Sequence, residues 1–182
     1  MLLYTVTLKD GRIALIREFS TEDKEKLVAF YESLSAEALQ WGLPPYTREH
    51  VENYWLKNLQ NMIMLVALHD DRVVGHAQIY KFPNPRRKAT GDLLIYVHQV
   101  FQNVGLGTAM LTELIRLARQ EGLHRVSLRT VADNKLAVHA YEKVRFKVEG
   151  VMKDCYFGED DKYYDELVMG LVFGSLAPPV PA

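Results

Sequence analysis

Cysteine is nearly absent: the 182-residue chain has one, Cys155. A single cysteine excludes an internal disulfide and any zinc site built from cysteine pairs. Cys155 reads as a small packing residue, because no catalytic-thiol motif surrounds it. Long apolar runs are missing too. No stretch approaches the ~20 residues that cross a bilayer, so no membrane partner is expected. Residues 1–8 lack a basic leader and a cleavage site, and they alternate as a strand does. Excess charge of one sign is also missing. Lys and Arg total 22 against 23 Asp and Glu, a formal net charge of -1. Bulk binding of nucleic acid needs a basic face, so no direct nucleic-acid partner is expected. With neither disulfides nor a leader, the expected location is cytoplasmic.

What is present reads as one globular unit. Hydrophobic residues make up 48% and charged residues 25% of the chain. Those proportions and the length fit a single mixed α/β (α+β) domain over 1–175. Residues 176–182 carry Pro178, Pro179 and Pro181 and read as a flexible tail. Strands are expected at 1–8 and 12–18, joined by the turn Lys9-Asp10-Gly11. Ser20 and Asp23 resemble a partial capping box that opens a helix over 22–34. A short helix follows near Ser35, and Trp41–Pro45 is a break. Thr47 caps a further helix carrying Val51, Tyr54, Trp55 and Leu59. Strands at 62–69 and 72–80 form a hairpin about Asp70-Asp71, and a basic loop, 82–88, leads to a strand at 89–97. Leu106, Met110, Leu114 and Leu117 recur at helical spacing, and Gly122 ends that helix. A strand at 125–131, a helix at 136–144 and strands at 147–152 and 164–173 complete the chain.

The most informative stretch is the strand ending at Val97, the turn Gln102–Gly107 and the helix behind it. A helix N-terminus exposes unpaired backbone N–H groups and carries partial positive charge. Together these make an anion site suited to phosphate. Gly105 and Gly107 remove the Cβ atoms that would block close approach. The same glycines also suit a plain tight turn. Two nucleotide fingerprints fail. A dinucleotide loop needs a third glycine where Met110 stands, and a P-loop needs Gly-Lys where Gly107-Thr108 stands. The six histidines are scattered, so no metal site is expected.

The pattern Gln-x-x-Gly-x-Gly at Gln102–Gly107 resembles the pyrophosphate loop of the GNAT superfamily of N-acetyltransferases. Downstream, Asn134-Lys135-Leu136-Ala137-Val138-His139-Ala140-Tyr141-Glu142-Lys143 resembles that family's Asn-x-x-Ala-x-x-x-Tyr-Glu-Lys segment. Tyr164-Asp165 followed by Met169 is similar to its closing strand. The opening, from Leu8 to Ser35, looks more loosely like that of protein-lysine acetyltransferases. The resemblance covers 62–173 and implies a GNAT fold, a central mixed and mostly antiparallel sheet flanked by helices. It implies acetyl-CoA as co-substrate and an amine acceptor, a protein lysine or N-terminus or a small amine or amino acid. It also implies a homodimer. Residues expected to hold the cofactor are Ile95, Val97, Gln102, Asn103, Val104, Gly105, Leu106, Gly107, Thr108, Asn134, Ala137 and Tyr141. An acyl-CoA sensor without turnover is the alternative, against which the retention of Asn134 and Tyr141 argues.

Two positions depart from the family. Asn103-Val104 stand where basic residues are usual, so phosphate would depend on backbone N–H groups. Arg145 replaces a glycine before Phe146, which predicts a left-handed residue held by arginine at a cost of about 1 kcal/mol. Acetyl transfer needs a neutral amine, a base, an oxyanion donor and a proton for the thiolate. The resemblance assigns the last task to Tyr141 as general acid and points to Asp92 as the base, acting through water. His76 and His98 are alternatives with suitable intrinsic pKa. The acidic run Glu159-Asp160-Asp161 is a candidate lure for a cationic acceptor.

Overall fold

The computed structural model describes residues 3–174. The expected tail, 176–182, lies outside the described residues. The strands are β1 (Leu3–Thr7), β2 (Ile13–Glu18), β3 (Met62–His69), β4 (Arg72–Lys81), β5 (Thr90–Val97), β6 (Arg125–Val131), β7 (Lys147–Phe157) and β8 (Tyr163–Val172). They form one sheet in the order β1-β2-β3-β4-β5-β6-β8-β7. Every neighbouring pair is antiparallel except β5 and β6. The helices are α1 (Lys24–Glu32), α2 (Ala36–Leu39), α3 (Arg48–His50), α4 (Leu106–Gln120) and α5 (Lys135–Lys143). This is the expected mixed, mostly antiparallel sheet flanked by helices. Among the described residues, no helix is long and apolar enough to cross a membrane.

Strand β3 shows why the sheet is covered on both faces. Seven of its eight residues are buried. Ile63, Leu65 and Ala67 join one core with Leu106, Met110 and Leu114 of α4. Met62, Met64, Val66 and Leu68 join another with Leu27, Phe30 and Tyr31 of α1. Alternate residues of a strand face opposite sides, so a strand buried twice reads as an unbroken apolar run. The hairpin after it turns on Asp70 and Asp71, both at positive φ (48° and 61°). Such turns match the right-handed twist of the flanking strands, and aspartate tolerates that conformation.

Local signals place the helices. Ser20 and Asp23 form a full capping box ahead of α1. Arg17 also clamps the Asp23 carboxylate through both oxygens, each at 2.6 Å. Thr47 caps α3 as expected. The following turn is a π turn over Val51–Trp55 and then a 3-10 segment over Leu56–Asn61. This corrects the expected regular helix. The wider turn keeps Val51 and Trp55 buried while Tyr54 swings out, 62% exposed. Strand β7 also runs five residues beyond the expected end at Met152. Two register irregularities and Asp154 at φ 50° interrupt its alternation. It is a sheet edge, exposed along almost its whole length, so it carries little apolar pattern.

The feature that positions the site is a fork in the sheet. Strands β5 and β6 pair in parallel only from Thr90 to Asp92 against Arg125 to Ser127. Beyond Asp92 the pairing stops. The β6-facing backbone of 93–97 then has no strand partner, and the fork opens toward the N-termini of α4 and α5.

Candidate active site

The fork widens into a cleft of about 710 Å³. At one end it is lined by Gln102, Asn103, Gly105, Gly107 and Thr108. The loop reaches its shape through Asn103 and Gly105, both left-handed, at φ 61° and 95°. Gly105 is the N-cap of α4 and supplies no side-chain cap. The first amides of that 15-residue helix are therefore free to meet an anion in the cleft. A Cβ on Gly107 would meet only Val97 Cγ2, at 3.6 Å. The protein itself does not require that glycine, so its open space is available to a ligand.

Two neighbours fix the loop. Gln102 Nε2 donates to Val97 O at 3.2 Å, and the backbone N–H of Lys9 donates to Val104 O at 3.0 Å. Lys9 itself lines the cleft. Sequence reading missed it, because it lies in the β1–β2 turn, far from the loop along the chain. The loop's lack of basic residues was the signal that a cation should come from elsewhere. The side chain of Leu106 is fully buried and that of Val104 packs against the same core. Neither lines the cleft, so of these two expected cofactor residues only the backbone can serve.

The middle of the cleft is lined by Ile95 and Val97 of β5, by Asn134 just ahead of α5, and by Ala137 and Tyr141 of α5. Asn134 Oδ1 caps α5 by accepting from Ala137 N at 3.2 Å. Tyr141 is 8% exposed, and burial pushes its phenol up to about 12. Among the described residues its hydroxyl has no hydrogen-bond partner.

The far end is aromatic. Trp41, Tyr46, Tyr96 and Tyr156 line it with Gly42, Leu43, Arg129 and Glu166. Tyr156 Oη donates to the carbonyls of Gln40 and Gly42, at 2.7 and 2.9 Å. That ties β7 to the loop after α2. The hydroxyls of Tyr46 and Tyr96 bond each other, and Tyr46 Oη accepts from Leu43 N at 2.9 Å. Burial raises the Tyr96 phenol far above its usual value, so it stays protonated.

The three base candidates read from sequence do not line the cleft. Asp92 lies where β5 and β6 are still paired, and its carboxylate accepts from Ser127 Oγ at 2.7 Å. His76 is fully buried beneath Tyr31, whose hydroxyl meets its Nδ1 at 2.7 Å. Burial lowers its pKa to about 3, so it is neutral and inaccessible. His98 accepts from Val100 N at 3.4 Å in the turn after β5, and burial lowers its pKa. Glu159 and Asp160 of the acidic turn line a smaller groove that shares Glu37, Gln40 and Trp41 with the cleft. Among the described residues, no cluster of three His, Cys, Asp or Glu side chains is placed to hold a metal.

Residues 22–146 match the family described as Acetyltransferase (GNAT) family. The chain belongs to that family. A curated relative, the L-amino acid N-acetyltransferase AaaT of Escherichia coli, is 30% identical over 129 residues. The match covers 70% of this chain and 79% of AaaT. A GNAT-family acetyltransferase of Streptococcus pneumoniae superposes with a TM-score of 0.76 at 29% identity, covering 88% of this chain and 99% of that one. The yncA protein of Salmonella typhimurium, solved with its cofactor acetyl-CoA, gives 0.75 at 22% identity, covering 92% and 98%. This GNAT protein is an acetyl-CoA-dependent N-acetyltransferase.

Proposed function

We propose that this enzyme transfers the acetyl group of acetyl-CoA to the α-amine of a free amino acid within a ternary complex, with Tyr141 as general acid. The observation that carries the mechanism is Tyr141, a buried, unpartnered phenol at the middle of the cleft. The amides at the start of α4, with Lys9, receive the pyrophosphate. An unpaired amide of β5 facing the fork meets the thioester oxygen as charge builds there. The amine lone pair attacks the carbonyl carbon, the C–N bond forms and the C–S bond breaks. Tyr141 protonates the departing thiolate and recovers its proton from solvent. With its pKa near 12, the phenol is protonated at every working pH. The amine's surplus proton leaves through water to Asp92, which stands just below the cleft lining. No protein thiol takes part.

The amino-acid acceptor is supported by the similarity to AaaT and by the aromatic far end, which suits a compact apolar side chain. We place the enzyme in the cytoplasm, consistent with an exposed free cysteine. The exposed Val148, Val151 and Phe157 of β7 mark the edge along which two copies would pair, which sedimentation would test. The decisive experiment is thiol release from acetyl-CoA with free amino acids, polyamines and lysine peptides. Intersecting initial-velocity lines and amino-acid turnover are expected. Turnover of peptides alone overturns the acceptor, and parallel lines overturn the ternary complex. Asp92→Asn should remove the acidic limb of the pH–rate profile, and an unchanged limb rejects Asp92.

A further inference from the structure

Glu166 stands on β8 directly across from Val131 of β6. It is 8% exposed, and it lines the cleft. A buried carboxylate stays ionised only when charges and hydrogen bonds replace lost water. Among the described residues, Glu166 has one cationic neighbour, the Arg129 guanidinium at 3.5 Å. A charge-assisted hydrogen bond spans about 2.7–2.9 Å, so this contact leaves both groups partly unsatisfied. The nearby Cys155 thiol, whose pKa the Glu166 carboxylate raises, adds no positive charge. Arg129 is equally under-used. Its side chain is 54% exposed, and its closest other polar contact is the Met152 sulfur at 3.6 Å. The far end of the cleft thus presents one negative and one positive group side by side, between aromatic walls.

We propose that Glu166 and Arg129 are the pair that reads the acceptor. Glu166 takes the α-ammonium group, which sheds one proton to water to give the attacking amine, and Arg129 takes the α-carboxylate of a zwitterionic amino acid, while Trp41, Tyr46, Tyr96 and Tyr156 receive its side chain. This rests on the amino-acid reading above and names the residues that enforce it. Two opposite charges in contact fit a molecule that carries both. A lysine side chain in a protein carries no adjacent carboxylate, so Arg129 would repel its ammonium group without return.

The test measures kcat and KM at saturating acetyl-CoA for the twenty common L-amino acids and their primary amides. The wild type is compared with Arg129→Gln and Glu166→Gln. The wild type should prefer the acid to its amide by about 10-fold or more in kcat/KM, as expected for a charged contact. Arg129→Gln should raise KM for the acid about 10- to 100-fold and erase that preference, because KM for the amide rises far less. Glu166→Gln should raise KM for acid and amide together. Arg129 is half exposed, so its variant carries the test even where Glu166→Gln fails to fold. Amino-acid turnover with an acid-to-amide ratio that Arg129→Gln leaves unchanged overturns the pair and spares the amino-acid reading. Turnover of polyamines or lysine peptides with no free amino acid acetylated overturns both.

Discussion

At the end of the cleft where we place the cofactor, Gln102 to Thr108 follow one another along the chain. At the acceptor end, Trp41 and Tyr46, Tyr96, Arg129, Tyr156 and Glu166 come from five separate stretches. The first end is made of backbone: left-handed Asn103 and Gly105, free helix amides and a fork in the sheet. The second is made of side chains held by hydroxyl-to-carbonyl clips such as Tyr156 onto Gln40 and Gly42. Backbone recognition suits a ligand part that never varies, the pyrophosphate. Side-chain recognition suits an acceptor that differs between relatives on one fold.

The sharpest break of this comparison sits where the two ends meet. Tyr141→Phe should lower kcat about 10²- to 10⁴-fold, the usual range for loss of a general acid. The acetyl-CoA Kd should stay within experimental error, because the ring still packs in the same core. Rapid-quench measurement of the chemical step checks this, and an unaltered rate removes Tyr141 from the mechanism.

A reciprocal pair of glycine variants comes next. In Gly42→Ala the new Cβ would stand 2.6 Å from Tyr96 Oη, inside the acceptor wall. Acceptor KM should rise about 10-fold, one charged or well-placed contact's worth, with acetyl-CoA affinity unchanged. In Gly107→Ala the Cβ meets no protein atom closer than 3.6 Å. Acetyl-CoA Kd should rise about 10-fold while melting temperature holds or increases, since alanine favours a helix over glycine. Titration calorimetry and acceptor kinetics on both proteins decide it. Should each variant disturb both ends, the division between backbone and side-chain recognition fails.

The same division explains what could be read from the sequence. The turn before α4 and the cap of α5 were legible because a short run of residues shapes a short run of backbone, as at Gly105 and Asn134. The fold was legible where burial is continuous, as in β3, or periodic, as in α4. The acceptor end was not, because no spacing announces that Glu166 and Arg129 meet across β8 and β6. Sheet order sets that contact. Nor does Asp92 carry a sign that it sits below the fork, since the point where β5 and β6 part is a property of two strands. Tyr54 misled because a π turn leaves no mark in apolar spacing. In β7, bulges hide the strand from period-two reading.

Acid should act on the acceptor end first. His76 lies in the core beneath Tyr31 and Trp55, held neutral with a pKa of about 3. In the unfolded chain a histidine titrates near ~6.5. Between those values the unfolded state binds a proton that the folded state refuses. The stability contribution is therefore whole above pH 6.5 and declines as pH falls toward 3. His76→Gln, which keeps an acceptor for Tyr31, should flatten melting temperature against pH in that window. Acceptor KM in the wild type should climb on acidification before acetyl-CoA Kd moves. An identical slope in variant and wild type would falsify this role for His76.

The smallest effect concerns the exit from α5, the helix that carries Tyr141. Arg145 sits at φ 75°, and its backbone N–H donates to Glu142 O at 2.9 Å. The side chain is exposed, so arginine holds a conformation that glycine adopts freely. Arg145→Gly should stabilise the protein by about 1 kcal/mol, a rise of roughly 2–4 °C in Tm for a chain of this size. Both KM values should stay put, because the left-handed turn that delivers Phe146 to the core is unchanged. A fall in Tm would mean that the Arg145 side chain stabilises the turn by more than its backbone strain. A shift in acetyl-CoA KM alone would place that side chain at the cofactor end, adding a second charge beside Lys9 to a surface built mainly of backbone.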